Sequence, residues 1–179
     1  MTDSLPMTQI YNLNRLGNAG DVVHFAADPA QRAAIAQWSA VPALGAWAAE
    51  VTLTKLGPTR FGLDFTITAD VTQACVVTLE SVPSHLEHKF HRELHFTGLV
   101  RHKLGADSGA ELVLDVGDEE GPEEIESLHY DLAAPALEEY VLALDPYPRK
   151  AGVAFDAPKA GLDAPESPFA VLKGLKSQL

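Results

Sequence analysis

The sequence has a single cysteine, Cys75, among 179 residues. One thiol excludes an internal disulfide and a zinc site built from cysteines. No apolar run reaches the roughly 18 residues that a membrane-spanning helix needs. The first residues, MTDSLPMTQIYNLN, lack the basic and apolar regions of a secretory signal peptide. From these absences we expect a cytoplasmic protein with no membrane partner.

Basic residues are also scarce, because 13 Lys and Arg stand against 25 Asp and Glu, for a formal net charge of −12. Direct RNA binding depends on neutralising phosphate charge, so this balance disfavours an RNA contact without excluding it. One local cluster, Lys89, Arg92, Arg101, His102 and Lys103, is a candidate basic patch. A solvated strand face and turn explains that cluster more simply. An acidic chain is better suited to a basic protein partner.

The motifs of common enzyme classes are missing, since there is no phosphate-binding loop, GxSxG elbow or dinucleotide fingerprint. Cys75 takes an apolar position in a predicted strand, where a free cysteine packs as a small hydrophobe rather than acting as a nucleophile. His88, His91 and His95 would line one face of a helix as metal ligands. The alternating pattern around them predicts a strand instead, with His88 facing away from the other two. We therefore predict no enzyme activity, no cofactor and no catalytic or metal-binding residue.

Alternating apolar and polar residues predict a sheet. Three segments, near residues 49–56, 61–80 and 86–97, have the period of antiparallel strands with one buried face. The stretch DVTQACVVTLE, residues 70–80, is the densest, and we predict that it belongs to the central strand. The length of this run predicts a bend or bulge near residues 70–73. Gln73 is a polar side chain at a buried position in the pattern, so it is expected to need a hydrogen-bond partner.

Two helices are predicted near residues 29–40 and 135–144. Asp28 and Pro29 suit the N-cap and the first helical position. The second helix has an apolar stripe that would pack on the sheet, formed by Leu137, Tyr140, Val141 and Leu144. The predicted fold is α+β, with a curled antiparallel sheet or partly open barrel covered by two helices. A sheet split into two layers is an alternative that the pattern leaves open.

Composition divides the chain into three parts. Residues 1–149 are predicted to form a single α+β domain, and residues 150–167, rich in Ala, Gly, Pro and Asp, a flexible linker. Residues 168–179 form a short amphipathic C-terminal segment, which would dock on the domain or on a partner. Within the domain, DEEGPEEIE at residues 118–126 predicts a mobile acidic loop. Its candidate contacts for a basic partner are Asp118, Glu119, Glu120, Glu123, Glu124 and Glu126.

Three segments in order resemble the bacterial YceD family, also called the large ribosomal RNA subunit accumulation protein family. They are QACVVTLE at residues 73–80, DLAAPALEEYVLALDPYPR at 131–149 and PFAVLKGLK at 168–176. The resemblance covers residues from about 20 to 176. The positions that carry it are Gln73, Cys75 and Leu79 in the first segment, Asp131, Leu132, Pro146, Pro148 and Arg149 in the second, and Phe169, Leu172 and Lys176 in the third.

The resemblance implies a non-enzymatic role in the synthesis, processing or stability of large-subunit ribosomal RNA. Many members of the family carry a cysteine-rich stretch of metal-binding type before the terminal motif. Residues 151–166 of this chain hold no cysteine, so no zinc ion is carried over. Because an acidic chain is a poor RNA ligand, we expect a basic ribosomal protein or an assembly factor as partner. The alternative is a small-molecule or metal-binding sheet domain that uses the strand of His88, His91 and His95 or the sheet interior.

Overall fold

The computed structural model describes residues 5–98 and 121–153. Along these ranges the elements are β1 (Ile10–Asn12), a 3-10 helix (Leu13–Arg15), β2 (Asp21–Ala26), α1 (Pro29–Trp38), β3 (Ala43–Lys55), β4 (Arg60–Ala74), β5 (Ser81–Phe96), β6 (Glu123–Ile125), β7 (His129–Asp131) and α2 (Ala133–Leu142). The predicted α+β class is confirmed. The linker beyond Val153, the C-terminal segment and Asp118, Glu119 and Glu120 lie outside the described residues.

Among the described residues, the main sheet has the strand order β2-β3-β4-β5-β6 and is not closed into a barrel. Strands β2 to β5 are consecutive antiparallel neighbours, and this confirms the curled sheet predicted from the alternating segments. Strand β6 pairs with β5 in parallel, which the pattern did not predict. Strands β1 and β7 form a separate antiparallel pair, so within the described ranges the sheets are mixed rather than purely antiparallel.

The core is formed by every second residue of strands β3, β4 and β5, whose side chains lie on the same face of the sheet. Val51 pairs with Phe65 and Leu53 with Leu63 across β3 and β4, and all four side chains are buried. On β5 the even positions lie on this face, where the Phe90 ring stacks on Phe65 at a centroid distance of 4.5 Å. Helix α2 buries Ala136, Leu137 and Tyr140 in the same cluster, Leu132 just before the helix is buried there as well, and α1 buries Ile35. Each of the Val, Leu, Ile and Phe side chains among them stabilises the fold by about 1.5–3 kcal/mol when fully buried.

The largest correction to the predicted strands concerns residues 61–80. Strand β4 ends at Ala74, which pairs with Ser81 of β5. Because this register closes the hairpin, residues 75–80 must form the connection, and Cys75 lies in a turn rather than in the predicted strand. Two short backbone bonds hold that turn, from Cys75 N to Glu80 O and from Leu79 N to Cys75 O, both at 2.8 Å.

Two further strand features differ from prediction. The predicted bulge near residues 70–73 lies on the partner strand instead, where the register shifts between Leu44 and Ala46. Strand β5 begins at Ser81 and includes Pro83, whereas the predicted strand began only near residue 86. Strand β6 covers only the last residues of β5, so β5 is an edge strand at Pro83, and edge strands tolerate proline.

Both helices have local features that explain where they begin. The Asp28 carboxylate accepts a bond from Gln31 N at 2.8 Å, and the Gln31 side chain accepts one from Asp28 N at 2.9 Å, which is a capping box. For α2, Asp131 Oδ1 accepts bonds from Ala133 N at 3.0 Å and from Gln9 N at 2.7 Å. In the part of the chain that the structure describes, no helix is long and apolar enough to cross a membrane.

The acidic block is in part a strand, because Glu123–Ile125 forms β6. Ile125 is buried, and its burial together with the parallel bonds to β5 orders these residues. The predicted mobile loop is therefore wrong for residues 123–125.

Candidate functional site

The ends of β4 and α2 meet in one place. The Gln73 side chain donates a bond from Nε2 to the Asp145 carbonyl oxygen at 2.9 Å. The Val76 amide donates to the Pro148 carbonyl at 2.9 Å. The Lys150 ammonium lies 3.1 Å from Glu80 Oε1. We call residues 73–80 together with residues 145–150 the motif junction, because they combine positions of the first two of the three sequence segments singled out above.

Cys75 lies at the centre of the motif junction and its side chain is 0% exposed. Its sulfur accepts a bond from the Lys150 amide at 3.5 Å. The pKa of the thiol is lowered to about 6, by the Thr78 hydroxyl first and then by the backbone amides of Lys150, Thr78 and Val77. The predicted burial of Cys75 is confirmed, but its sulfur is also a hydrogen-bond acceptor that ties the two segments together.

The Thr78 hydroxyl has two acceptors within reach. It donates to Glu80 Oε2 at 3.1 Å, and it also contacts the Cys75 thiol. A hydroxyl has one hydrogen, so it stabilises the thiolate only when it does not donate to Glu80. The Lys150 ammonium and then the Thr78 hydroxyl lower the pKa of the Glu80 carboxyl, which keeps that carboxylate charged beside Lys150.

The two other positions of the first segment behave differently. Gln73 is half-buried and its bond to Asp145 confirms the expectation that this side chain needs a partner. Leu79, an apolar residue near the end of the strand predicted over residues 61–80, is 80% exposed and has a φ of 62°. The left-handed conformation closes the turn, at a cost of about 1–2 kcal/mol for a residue with a Cβ. The strand pattern could not reveal this, because it assumed that β4 continued to residue 80.

The positions of the second segment separate into two groups. Pro146, Pro148 and Arg149 belong to the motif junction, where Pro148 is buried and the other two are exposed. Asp131 and the buried Leu132 lie at the opposite end of α2, where they join β1 to the helix start. A helix of ten residues separates the ends by about 15 Å, so Asp131 and Leu132 are not part of the junction. Phe169, Leu172 and Lys176 lie outside the described residues.

An apolar groove of about 520 Å³ runs beside the motif junction. Its walls are the connection from α1 to β3, the end of β4 and the segment after α2. Leu142 lines it and is 76% exposed, and Tyr147, between two lining prolines, is 70% exposed. Val141, predicted in the buried stripe, is also an exposed lining residue. Sequence reasoning missed this groove because Leu142 lies off the periodic stripe that we expected to define the helix surface.

The acidic candidates are only partly available to a partner. Glu123 lies 3.5 Å from Arg92 and accepts a bond from the Tyr130 hydroxyl at 3.1 Å. Burial and the Glu123 carboxylate raise the pKa of Tyr130 well above its usual value. Glu124 is exposed, and Glu126 follows β6. Of the proposed contacts within the described ranges, Glu124 is thus better placed than Glu123 to meet a partner.

The candidate basic patch is not a single surface. Lys89 and Arg92 lie on opposite faces of β5, because their positions differ by an odd number of residues. Lys89 pairs with Glu87 at 2.9 Å, whereas Arg92 is surrounded by Glu123, Glu138 and Glu139. The other members, Arg101, His102 and Lys103, lie outside the described residues.

The histidines of β5 pair with carboxylates. His91 Nδ1 lies 2.8 Å from Asp64 on the outer face of the sheet, and His88 Nε2 lies 3.3 Å from Glu139 on the face toward α2. The predicted opposite orientation of these two side chains is confirmed. Over residues 5–98 and 121–153, no group of three or more histidine, cysteine or acidic side chains could hold a metal ion.

No family model, no curated protein and no solved structure matches the chain. The functional argument therefore depends on the geometry of the motif junction.

Proposed function

We propose that the protein is a non-enzymatic ribosome-biogenesis factor that supports the synthesis, processing or stability of large-subunit ribosomal RNA through contacts with another protein. The observation that carries this proposal is the motif junction. Residues 73 and 145 are 72 positions apart, yet the Gln73 side chain bonds the Asp145 carbonyl. Contact between two segments that resemble the same family supports a shared role for them.

The exposed apolar side chains support a protein partner rather than RNA. Leu79 and Tyr147 belong to the motif junction and are largely exposed. Clustered exposed apolar residues are typical of protein-binding surfaces. The net charge of −12 disfavours phosphate binding and suits a basic ribosomal protein or assembly factor. Glu124 and the acidic residues 118–120 are the candidate charged contacts.

The setting of Cys75 supports a role without catalysis. A thiolate is a good nucleophile, but a substrate must be able to reach it. The Cys75 side chain is 0% exposed, and the groups around it are hydrogen-bond donors of the junction itself. The lowered thiol pKa is explained by these structural bonds.

The proposal is tested by deleting the gene and measuring ribosomal RNA and subunit profiles. We expect large-subunit RNA to fall relative to small-subunit RNA, and the wild-type gene to restore it. Leu79→Asn should fail to restore it, because it removes an exposed apolar contact while asparagine tolerates a positive φ. Val22→Asn, an equivalent change of an exposed residue on β2, is the matched control and should restore the profile. A normal large-subunit profile after deletion would contradict the proposal.

A pull-down at low and moderate salt tests the kind of partner. We expect a basic protein to be recovered, with binding that weakens as salt rises. Glu124→Lys should weaken binding at low salt more than Glu50→Lys, a charge reversal at an exposed residue on β3. Tight binding of naked large-subunit RNA at physiological salt, with no protein recovered, would overturn the protein-contact part of the proposal.

A further inference from the structure

We propose that the apolar groove beside the motif junction binds the chain's own C-terminal segment, residues 168–179. This inference does not depend on a role in ribosome biogenesis. It concerns which part of the chain covers the exposed side chains Val76, Val141 and Leu142.

The groove has the shape and chemistry of a peptide-binding site. It holds about 520 Å³ between three separate segments of backbone. Its lining includes Val41, Pro42, Val76, Leu142 and Pro146. An amphipathic segment can bury its apolar side chains in such a groove, whereas water contact with these residues is unfavourable.

The last described residues of the chain lie close to the groove. Lys150 lies two residues after Pro148, which lines the groove, and it is held in place because its amide bonds the Cys75 sulfur and its ammonium contacts Glu80. Gly152, with a φ of 81°, turns the backbone, and the described residues end at Val153. Val76, which follows Cys75 directly, lines the groove. The start of the connection to residue 168 is thus fixed within a few residues of the binding site.

The connection is long enough to reach and short enough to favour binding within the chain. Residues 154–167 span at most roughly 45–50 Å when extended. As a flexible chain their mean end-to-end distance is roughly 20 Å. A short flexible connection gives an effective concentration in the millimolar range, on the order of a thousandfold above a micromolar second copy of the chain. The attached segment is therefore the favoured occupant over another molecule.

The sequence of residues 168–179 fits the groove. Phe169, Leu172 and Leu175 recur at intervals of three, so a helical turn would present them on one side. The segment has Lys173 and Lys176 and no acidic residue, whereas acidic residues outnumber basic ones in the described ranges. The apolar residues would enter the groove, and Asp145 is the one charged residue of its described lining that a lysine could meet.

Amide hydrogen exchange of the full chain tests the proposal. The double variant Phe169→Ser/Leu172→Ser should speed exchange at residues 76–79 and 141–147 on the order of tenfold, with the rest of the domain unchanged. Ala170→Ser/Gly174→Ser, in the same segment but off the apolar side, is the matched control and should have no effect. Unchanged exchange in the first variant overturns the proposal, and so does protection of the wild-type groove that disappears on dilution, which would indicate a second copy.

Disulfide formation provides an independent measurement. In the full chain, Leu142→Cys with Leu172→Cys should form an intramolecular disulfide at least tenfold faster than Val22→Cys with Leu172→Cys, since Val22 lies on the outer face of the sheet. The native Cys75 is 0% exposed, so it does not compete. Equal rates for the two pairs, or disulfides formed only between molecules, overturn the proposal.

Discussion

At the scale of single residues, Cys75 shows how a buried thiol can hold two distant segments together. Its sulfur accepts bonds from amides of its own turn and from the Lys150 amide, 75 positions along the chain. The Thr78 hydroxyl first, and then these amides, favour the thiolate over the thiol, and this lowers the thiol pKa to about 6. The lowered pKa means that the charge of Cys75 changes with pH near neutrality.

We predict that Cys75 stabilises the fold more at higher pH. The thiol pKa is about 6 in the folded protein and about 8.5 in an unfolded chain. The folded state therefore releases its proton first, so stability rises with pH from about 6 to 8.5 and is lost as pH falls through about 6. The difference in free energy of unfolding between wild type and Cys75→Ala, measured in urea, should grow over this range.

The matched variants for this prediction change Thr78. Thr78→Val should raise the Cys75 pKa, followed by thiolate absorbance, whereas Thr78→Ser keeps the hydroxyl and should not. A pKa unchanged in Thr78→Val would mean that the hydroxyl donates only to Glu80. A constant stability difference between pH 6 and 8.5 would contradict the proposed thiolate.

Gln73 provides a second prediction for a single residue. Gln73→Ala removes the bond to the Asp145 carbonyl and should lower the free energy of unfolding by about 0.5–1.5 kcal/mol. The carbonyl can regain water because the site is partly exposed, so the lower part of that range is expected. Gln37→Ala, at an exposed position of α1, is the control and should change stability by less than about 0.5 kcal/mol. Equal effects in urea unfolding would show that the Gln73 bond contributes nothing.

At the scale of elements, the turn between β4 and β5 is the feature that departs most from a regular hairpin. Residues 75–80 are more than a tight hairpin needs, and they place Val76 and Cys75 against residues 148–150. The turn therefore holds the segment after α2 in place through these hydrogen bonds. Its closure requires a positive φ at Leu79, which is unfavourable for leucine.

We predict that Leu79→Gly stabilises the protein by about 1 kcal/mol, because glycine adopts a positive φ without strain. Leu79→Ala removes the same exposed apolar side chain but keeps the Cβ, so it should leave stability nearly unchanged. Thermal and urea unfolding of the two variants separate strain from exposure. Equal effects of glycine and alanine would contradict backbone strain at this position.

At the scale of the whole molecule, the described residues bury apolar side chains on one face of the sheet and carry polar side chains on the other. The apolar face of the sheet and the buried sides of α1 and α2 belong to one cluster. The opposite face carries polar pairs such as His91 with Asp64 and His85 with Asp70. Stability thus depends on α2 remaining on the sheet, and α2 also supplies the wall of the groove.

Two alanine substitutions in α2 test this arrangement. Leu137→Ala should lower the free energy of unfolding by about 2–5 kcal/mol, because Leu137 is fully buried between helix and sheet. Leu142→Ala, the same change five positions later at an exposed site, should cost less than about 1 kcal/mol. Similar costs in urea unfolding would contradict the placement of α2.

Local patterns were sufficient to predict several features. Alternation predicted the antiparallel strands and the opposite orientation of His88 and His91, and Asp28 with Pro29 predicted the start of α1. These features depend on periodicity and on bonds within a few residues, which the order of side chains specifies directly.

Only the tertiary structure decided where β4 ends, which face of the sheet the helices cover, and that Gln73 and Cys75 meet residues 145–150. The pairing of Ala74 with Ser81 depends on hydrogen bonds between strands, and the junction depends on groups more than 70 positions apart. A local sequence pattern contains no information on contacts between residues that are so far apart in the chain. An apolar run could therefore predict a strand that continued through Leu79, while the closed turn leaves this residue exposed.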